Sequence, residues 1–261
     1  MKRFVAILRL LRLDSCVAPF LAILIPVFLK TNDLALSFGR AIPVLFIYLC
    51  AFIANALDDV EKDKVNHPER PLPAHQLTSA FAAILYFISL FSALFLIEHY
   101  VPERIAFWYY GLTAISISYG YIVDFLPGLK APYVAATVSV VPLMIAAWFP
   151  NEARLYRVAG ATFLVTVAKE ICMDIRERPG DPVSFMHRVR PIPLAITAFA
   201  MQALGLLLLA LQIRRLGDMI DLLAMASVLA ISTFHWFKLM NYKRAILLMK
   251  LQFILGIYFL I

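Results

Sequence analysis

Two groups of carboxylates stand out in an apolar chain. Asp58, Asp59, Glu61, Asp63 and Glu69 form one, and Glu170, Asp174, Glu177 and Asp181 the other; together they make up more than half of the 17 Asp and Glu residues. Acids set into apolar sequence are costly to bury, and where they cluster they mark working sites. Residues four apart share a helix face, so Asn55, Asp59 and Asp63 align at i, i+4 and i+8. Glu170 and Asp174 repeat that spacing, and Glu177 and Asp181 extend the stripe to the helix-breaking Pro179-Gly180. Two such stripes facing one another would repel unless a cation lay between them. Oxygen donors without neighbouring Cys or His favour Mg2+ over zinc or copper, and Mg2+ is commonly shared between a few carboxylates and substrate phosphates. The acids therefore imply a phosphorylated anion, with Arg70, Lys130, Lys169, Arg188 and Arg190 as its candidate grips. An apolar cavity below such a head would take a lipid tail, which makes a polyprenyl diphosphate the expected ligand.

The elements that must position these residues are membrane-spanning helices. The chain is 62% hydrophobic and 16% charged, with a mean hydropathy of +0.82, which excludes an ordinary soluble domain. Apolar stretches of about 20 residues recur without the period-two alternation of barrel strands. The expected fold is all-α and polytopic, a single domain over residues 1–261, with nine spans bundled around a central cavity. The spans read as 14–30, 38–57, 77–98, 104–123, 132–149, 156–174, 192–212, 218–237 and 245–261, the last at the short limit for a crossing. Lys and Arg concentrate at the span ends on the N-terminal side, so the positive-inside rule places the N-terminus and both acid motifs in the cytoplasm, in a multi-pass protein of the cell inner membrane. Each motif runs from the end of an even-numbered span into a loop rich in Pro and Arg. This loose repeat is consistent with two related four-helix units.

Asn55, Asp59 and Asp63, followed by Asn66, Pro68, Arg70, Pro71 and Pro73, resemble the first signature of the UbiA-type intramembrane prenyltransferase superfamily, Asn-Asp-x-x-Asp-x-x-x-Asp with a trailing Arg-Pro loop. Ala56 stands where many members have Asp, and Asp58 is an extra acid. Asp174 and Asp181, seven apart with Glu177 between them, are similar to the second signature; Tyr119, Tyr121 and Lys130 resemble the Tyr and Lys positions after the fourth span. The resemblance implies Mg2+ held by Asn55, Asp59, Asp63, Asp174 and Asp181, the four aspartates among them acting as catalytic residues. It also implies substrate contacts from Asn55, Arg70, Tyr119, Lys130, Lys169 and Glu177. The implied reaction is ionisation of a prenyl diphosphate and capture of the allylic cation by an aromatic, quinone-precursor or lipid acceptor.

Other readings compete. A membrane terpene cyclase of the same superfamily would need no acceptor. A transporter would place its acids near the bilayer midplane rather than at one face. The net charge of +7 sits at span ends facing lipid headgroups, so nucleic acid is not an expected partner. Cys16, Cys50 and Cys172 have neither disulfide nor zinc spacing. Lys130 reads equally as a snorkelling cation, and Tyr119 and Tyr121 as interface aromatics.

Overall fold

The structure, a computed structural model, describes residues 2–150, 153–177, 190–211, 216–237 and 244–248. All regular structure among them is helical. Ten helices follow in order: α1 (Lys2–Leu11), α2 (Leu13–Thr31), α3 (Leu34–Asp58), α4 (Val60–Asn66), α5 (Ser79–Tyr100), α6 (Glu103–Phe125), α7 (Lys130–Trp148), α8 (Arg154–Glu177), α9 (Pro191–Ala210) and α10 (Leu216–Phe237). The first eight expected spans each coincide with one helix: α2, α3, α5, α6, α7, α8, α9 and α10. Of the ninth, only the start is described, where residues 244–248 are helical.

The breaks between helices have local causes. Arg12 adopts the left-handed conformation (φ 44°, ψ 47°) and separates amphipathic α1 from α2. Asn32, also left-handed, closes α2 with its N–H on the Phe28 carbonyl at 2.7 Å, and the Asp33 carboxylate then accepts the Leu36 N–H at 2.9 Å to cap α3. Thr78 caps α5 in the same way through the Phe81 N–H. Pro19, Pro26, Pro43 and Pro142 lie inside helices, as membrane helices tolerate.

The described helices form two compact units, α1 to α6 and α7 to α10. In the first, α3 is the hub, packed by α1, α2, α5 and α6; in the second, α8 lies against both α7 and α9, and α10 against α9. The hubs are the helices that carry the acid motifs. A helix bearing charge is best shielded from lipid by its neighbours, whereas α5 at the rim turns Phe87, Phe91 and Phe95 outward. Helices α2, α3, α5, α7 and α9 are long and apolar enough to cross a membrane. Helix α8 is too charged to pass that test, carrying Lys169, Glu170, Asp174, Arg176 and Glu177 near its end, and Val165, Thr166, Ala168 and Cys172 are buried along it.

Candidate active site

In the first unit the acid stripe straddles a break in the helix. Asp59 ends α3 and starts α4 with φ −89° and ψ 8°. The backbone ladder nevertheless continues across it, Asp59 N–H to Asn55 O at 3.0 Å and Asp63 N–H to Asp59 O at 2.8 Å. Asn55, Asp59 and Asp63 therefore keep i, i+4 succession although the sequence spacing predicts one unbroken helix. Asn55 Nδ2 donates to Asp59 Oδ2 at 2.8 Å, which leaves the amide oxygen of Asn55 as its acceptor atom. Lys62 Nζ stands 3.7 Å from Asp59 Oδ1.

Asp63 is almost fully buried, its side chain 6% exposed, and Arg70 Nη1 donates to both of its oxygens at 2.5 and 2.6 Å. Arg70 is held in place by the loop around it. The Arg70 N–H bonds His67 O at 3.0 Å, Ala74 N–H bonds Arg70 O at 2.9 Å, and the Gln76 and Leu77 N–H groups both converge on Pro71 O. Pro68, Pro71 and Pro73 fix φ and lower the entropy lost on ordering the loop. Leu72 and Leu77 anchor it in a core cluster with Ala6, Leu10, Ile53 and Ala82. Glu69 is exposed on the same loop; its own backbone N–H holds the carboxyl below its ordinary pKa, and neighbouring His67 adds to the effect.

Ala56 and Asp58 face different surroundings. Ala56 lines a cleft of about 400 Å³ together with Arg9, Arg12, Asp63, Arg70 and Pro71. The Asp58 carboxylate lies against Gly120 of α6, in space that only a residue without Cβ leaves open. Asp58 is thus turned toward α6. Arg9 and Arg12 escaped the sequence reading because a basic pair ahead of a first span reads as an orientation signal; the amphipathic pattern of α1 was the available clue.

In the second unit Lys130, the first residue of α7, reaches Asp174 Oδ1 near the end of α8 at 2.5 Å. The side chains are 25% and 5% exposed, so this is an ion pair inside the helix packing, and the snorkelling reading of Lys130 gives way to it. Lys169 pairs with Glu170 at 2.7 Å and Arg176 with Glu177 at 2.6 Å. Each described acid of this segment therefore has a cation beside it. Asp181 and Arg188 lie outside the described residues. Arg190 forms the N-cap of α9. On α6, Tyr119 is half-buried, whereas Tyr121 is 84% exposed, as an interface aromatic would be.

Among the described residues no three His, Cys, Asp or Glu side chains gather into a ligand set by themselves. The donors of the first unit, an amide oxygen and the carboxylates of Asp59 and Asp63, are all oxygen. That set fits a hard cation sharing its shell with ligand phosphates and does not fit zinc or copper. The three cysteines are buried thiols.

No family model matches the chain. Curated relatives do: a digeranylgeranylglyceryl phosphate synthase of Pyrococcus furiosus is 32% identical over 133 residues, 49% of this chain and 46% of the relative. One of Methanospirillum hungatei is 29% identical over 168 residues, 58% of this chain and 54% of the relative. The chain spans about half the length of the curated relatives it matches. Among solved structures, a UbiA homolog from Aeropyrum pernix superposes with a TM-score of 0.78 at 16% identity over 94% of this chain and 96% of the other. A UbiA homolog from Archaeoglobus fulgidus bound to DMAPP and Mg2+ superposes with a TM-score of 0.62 at 15% identity over 97% and 98%. Both likenesses establish the fold.

Proposed function

We propose that this chain is a member of the UbiA-type intramembrane prenyltransferase superfamily and transfers a prenyl group from a polyprenyl diphosphate to a glycerophosphate-type lipid in a Mg2+-dependent reaction. The observation that carries this reading is the arrangement of Asn55, Asp59 and Asp63 across the α3–α4 break, with buried Asp63 locked to Arg70. The lipid acceptor rather than an aromatic one is favoured by the matched relatives, which are named digeranylgeranylglyceryl phosphate synthases. The protein is a multi-pass membrane protein, and the Lys and Arg bias favours a cytoplasmic location for both motifs in the cell inner membrane.

Asn55, Asp59 and Asp63, and likewise Asp174 with Asp181, are the residues that would hold Mg2+. When bound, the metal would neutralise the charge that accumulates on the leaving diphosphate. The chain's own cations do the rest at the phosphate oxygens: Arg70 as a planar fork, Lys130 and Lys169 as point charges, each exchanging a carboxylate for phosphate when the ligand enters. Tyr119 would add a hydroxyl donor, and Glu177 would bind substrate beside Asp174. The C1–O bond to the diphosphate breaks and its electron pair leaves with the diphosphate. A lone pair of the acceptor hydroxyl forms the new C1–O bond, and the hydroxyl proton passes to a carboxylate or to water. Apolar helix walls keep water from the allylic cation.

The test pairs geranylgeranyl diphosphate with geranylgeranylglyceryl phosphate and Mg2+ in purified protein. Wild type should form the diether product, while Asp59→Asn and Asp174→Ala should lose at least about 100-fold in turnover, the scale of a lost electrostatic contact to developing charge, and remain membrane-inserted. Unchanged turnover in both variants removes the proposal. A hydrocarbon product from the diphosphate alone would reassign the chain as a cyclase.

A further inference from the structure

Helix α1 carries more apolar surface than its packing covers. With about 3.6 residues per turn, Ala6 and Leu10 share one face of it, Phe4 and Leu8 another, and Val5 and Arg9 a third. Ala6 and Leu10 are buried in the cluster with Ile53, Leu72 and Leu77, and Ile7 and Leu11 pack at its edge. The other apolar side stays uncovered, with Phe4 63% exposed, Val5 41% and Leu8 36%.

Charge and position indicate what covers that side. The ionisable residues of α1 are Lys2, Arg3 and Arg9, all cationic, and the helix contains no Asp or Glu. Arg3 and Arg9 are exposed, and among the described residues neither is held in an ion pair. An exposed apolar strip edged by cations alone is complementary to an anionic bilayer surface, where the strip meets acyl chains and the guanidinium groups meet lipid phosphates. The left-handed Arg12 ends α1 and turns the chain into α2, which is long and apolar enough to span a membrane. The inner face of α1 packs beside Leu57 and Val60, at the end of α3 where the acid stripe lies. Helix α1 therefore sits at the level where spanning helices leave the hydrocarbon, which is the headgroup layer.

We propose that α1 is a docking surface for an anionic lipid leaflet, with Phe4, Val5 and Leu8 set against acyl chains and Arg3 and Arg9 against headgroup phosphates. The inner face of the helix then ties the proline loop to the bilayer surface, because Leu72 and Leu77 pack in the same cluster as Ala6 and Leu10. This docking rests on the membrane-spanning helices and not on prenyl transfer, so the two readings stand or fall separately.

Amide hydrogen exchange in α1 tests the docking without substrate or metal. Full-length protein is placed in nanodiscs of phosphatidylcholine alone and in nanodiscs of an equal mixture of phosphatidylcholine and phosphatidylglycerol. The α1 amides should exchange at least about tenfold more slowly in the anionic discs, as two basic side chains at a charged surface imply. Raising the salt concentration should shrink the difference. The double variant Arg3→Gln, Arg9→Gln should erase most of it, and Arg3→Lys, Arg9→Lys should keep most of it. Both positions are exposed, so neither variant puts the fold at stake. Phe4→Gln with Leu8→Gln should weaken α1 protection in discs of either composition, since insertion of the apolar strip does not need charge. Equal exchange in the two compositions, or a difference that survives the double Gln variant, overturns the proposal. Two controls in neutral discs separate other partners. Protection by inorganic phosphate would make α1 an ion site, and protection by polyglutamate would make its partner an acidic protein; either result overturns the lipid assignment.

Discussion

At the scale of single residues, the ion pairs differ in what they lose when broken. Asp63 is the buried partner and Arg70 the more exposed one, with side chains 6% and 25% exposed. Arg70→Gln strands a carboxylate out of water and should cost about 3–5 kcal/mol of stability, the scale of a broken buried pair. Asp63→Asn strands a guanidinium that water can reach, so its stability loss should be smaller even though turnover collapses. Thermal unfolding in detergent, compared between the two variants, checks the order. Lys130→Gln should behave like Arg70→Gln, because Asp174 is the buried member of that pair. Lys62→Gln, by contrast, removes an exposed partner 3.7 Å from Asp59 and should change stability by less than about 1 kcal/mol.

Helices meet most closely where glycine allows it, and two glycines make opposite predictions. A Cβ at Gly205 of α9 would lie 3.0 Å from Val165 Cγ2 and 3.2 Å from the backbone oxygen of Ala161, both on α8. Backbone yields little, so Gly205→Ala should destabilise the second unit by about 1–3 kcal/mol through overpacking. At Gly120 the obstacle is the end of the Asp58 side chain, which is exposed and can rotate. Gly120→Ala should therefore be close to neutral, because the helix propensity gained, up to about 1 kcal/mol, offsets moving that carboxylate. Unfolding midpoints of the two variants decide the matter; a larger loss at Gly120 would show that Asp58 is held there by more than space.

For the whole molecule, the expected metal dependence can be read without knowing the acceptor. Chelation with EDTA should abolish product formation from a prenyl diphosphate and any accepted acceptor, and Mg2+ in excess should restore it. Zn2+ should restore it poorly, because the donors of Asn55, Asp59 and Asp63 are all oxygen. Unimpaired turnover in EDTA would remove the metal from the proposal. The same preparation incubated with donor alone should yield little product if the chain is a transferase.

Much of this was legible in the sequence because hydropathy and charge act locally. Apolar runs set the helices, so α2, α3 and α5 to α10 fall where the spans were read. The acids at 55–63 and 170–177 stood out because a membrane chain does not retain charge without use. The spacing Asn55–Asp59–Asp63 also carried the i, i+4 alignment, since one backbone ladder connects all three. Tertiary packing decided the rest. The locking of Arg70 onto Asp63, the turning of Asp58 toward Gly120 and the placing of Lys130 on Asp174 depend on neighbours on other elements. The cleft lined by Arg9, Arg12 and Arg70 depends on α1 folding back over a loop some 60 residues later. A pattern read along one helix reports which side chains share a face. Only the packed chain fixes which residues that face meets.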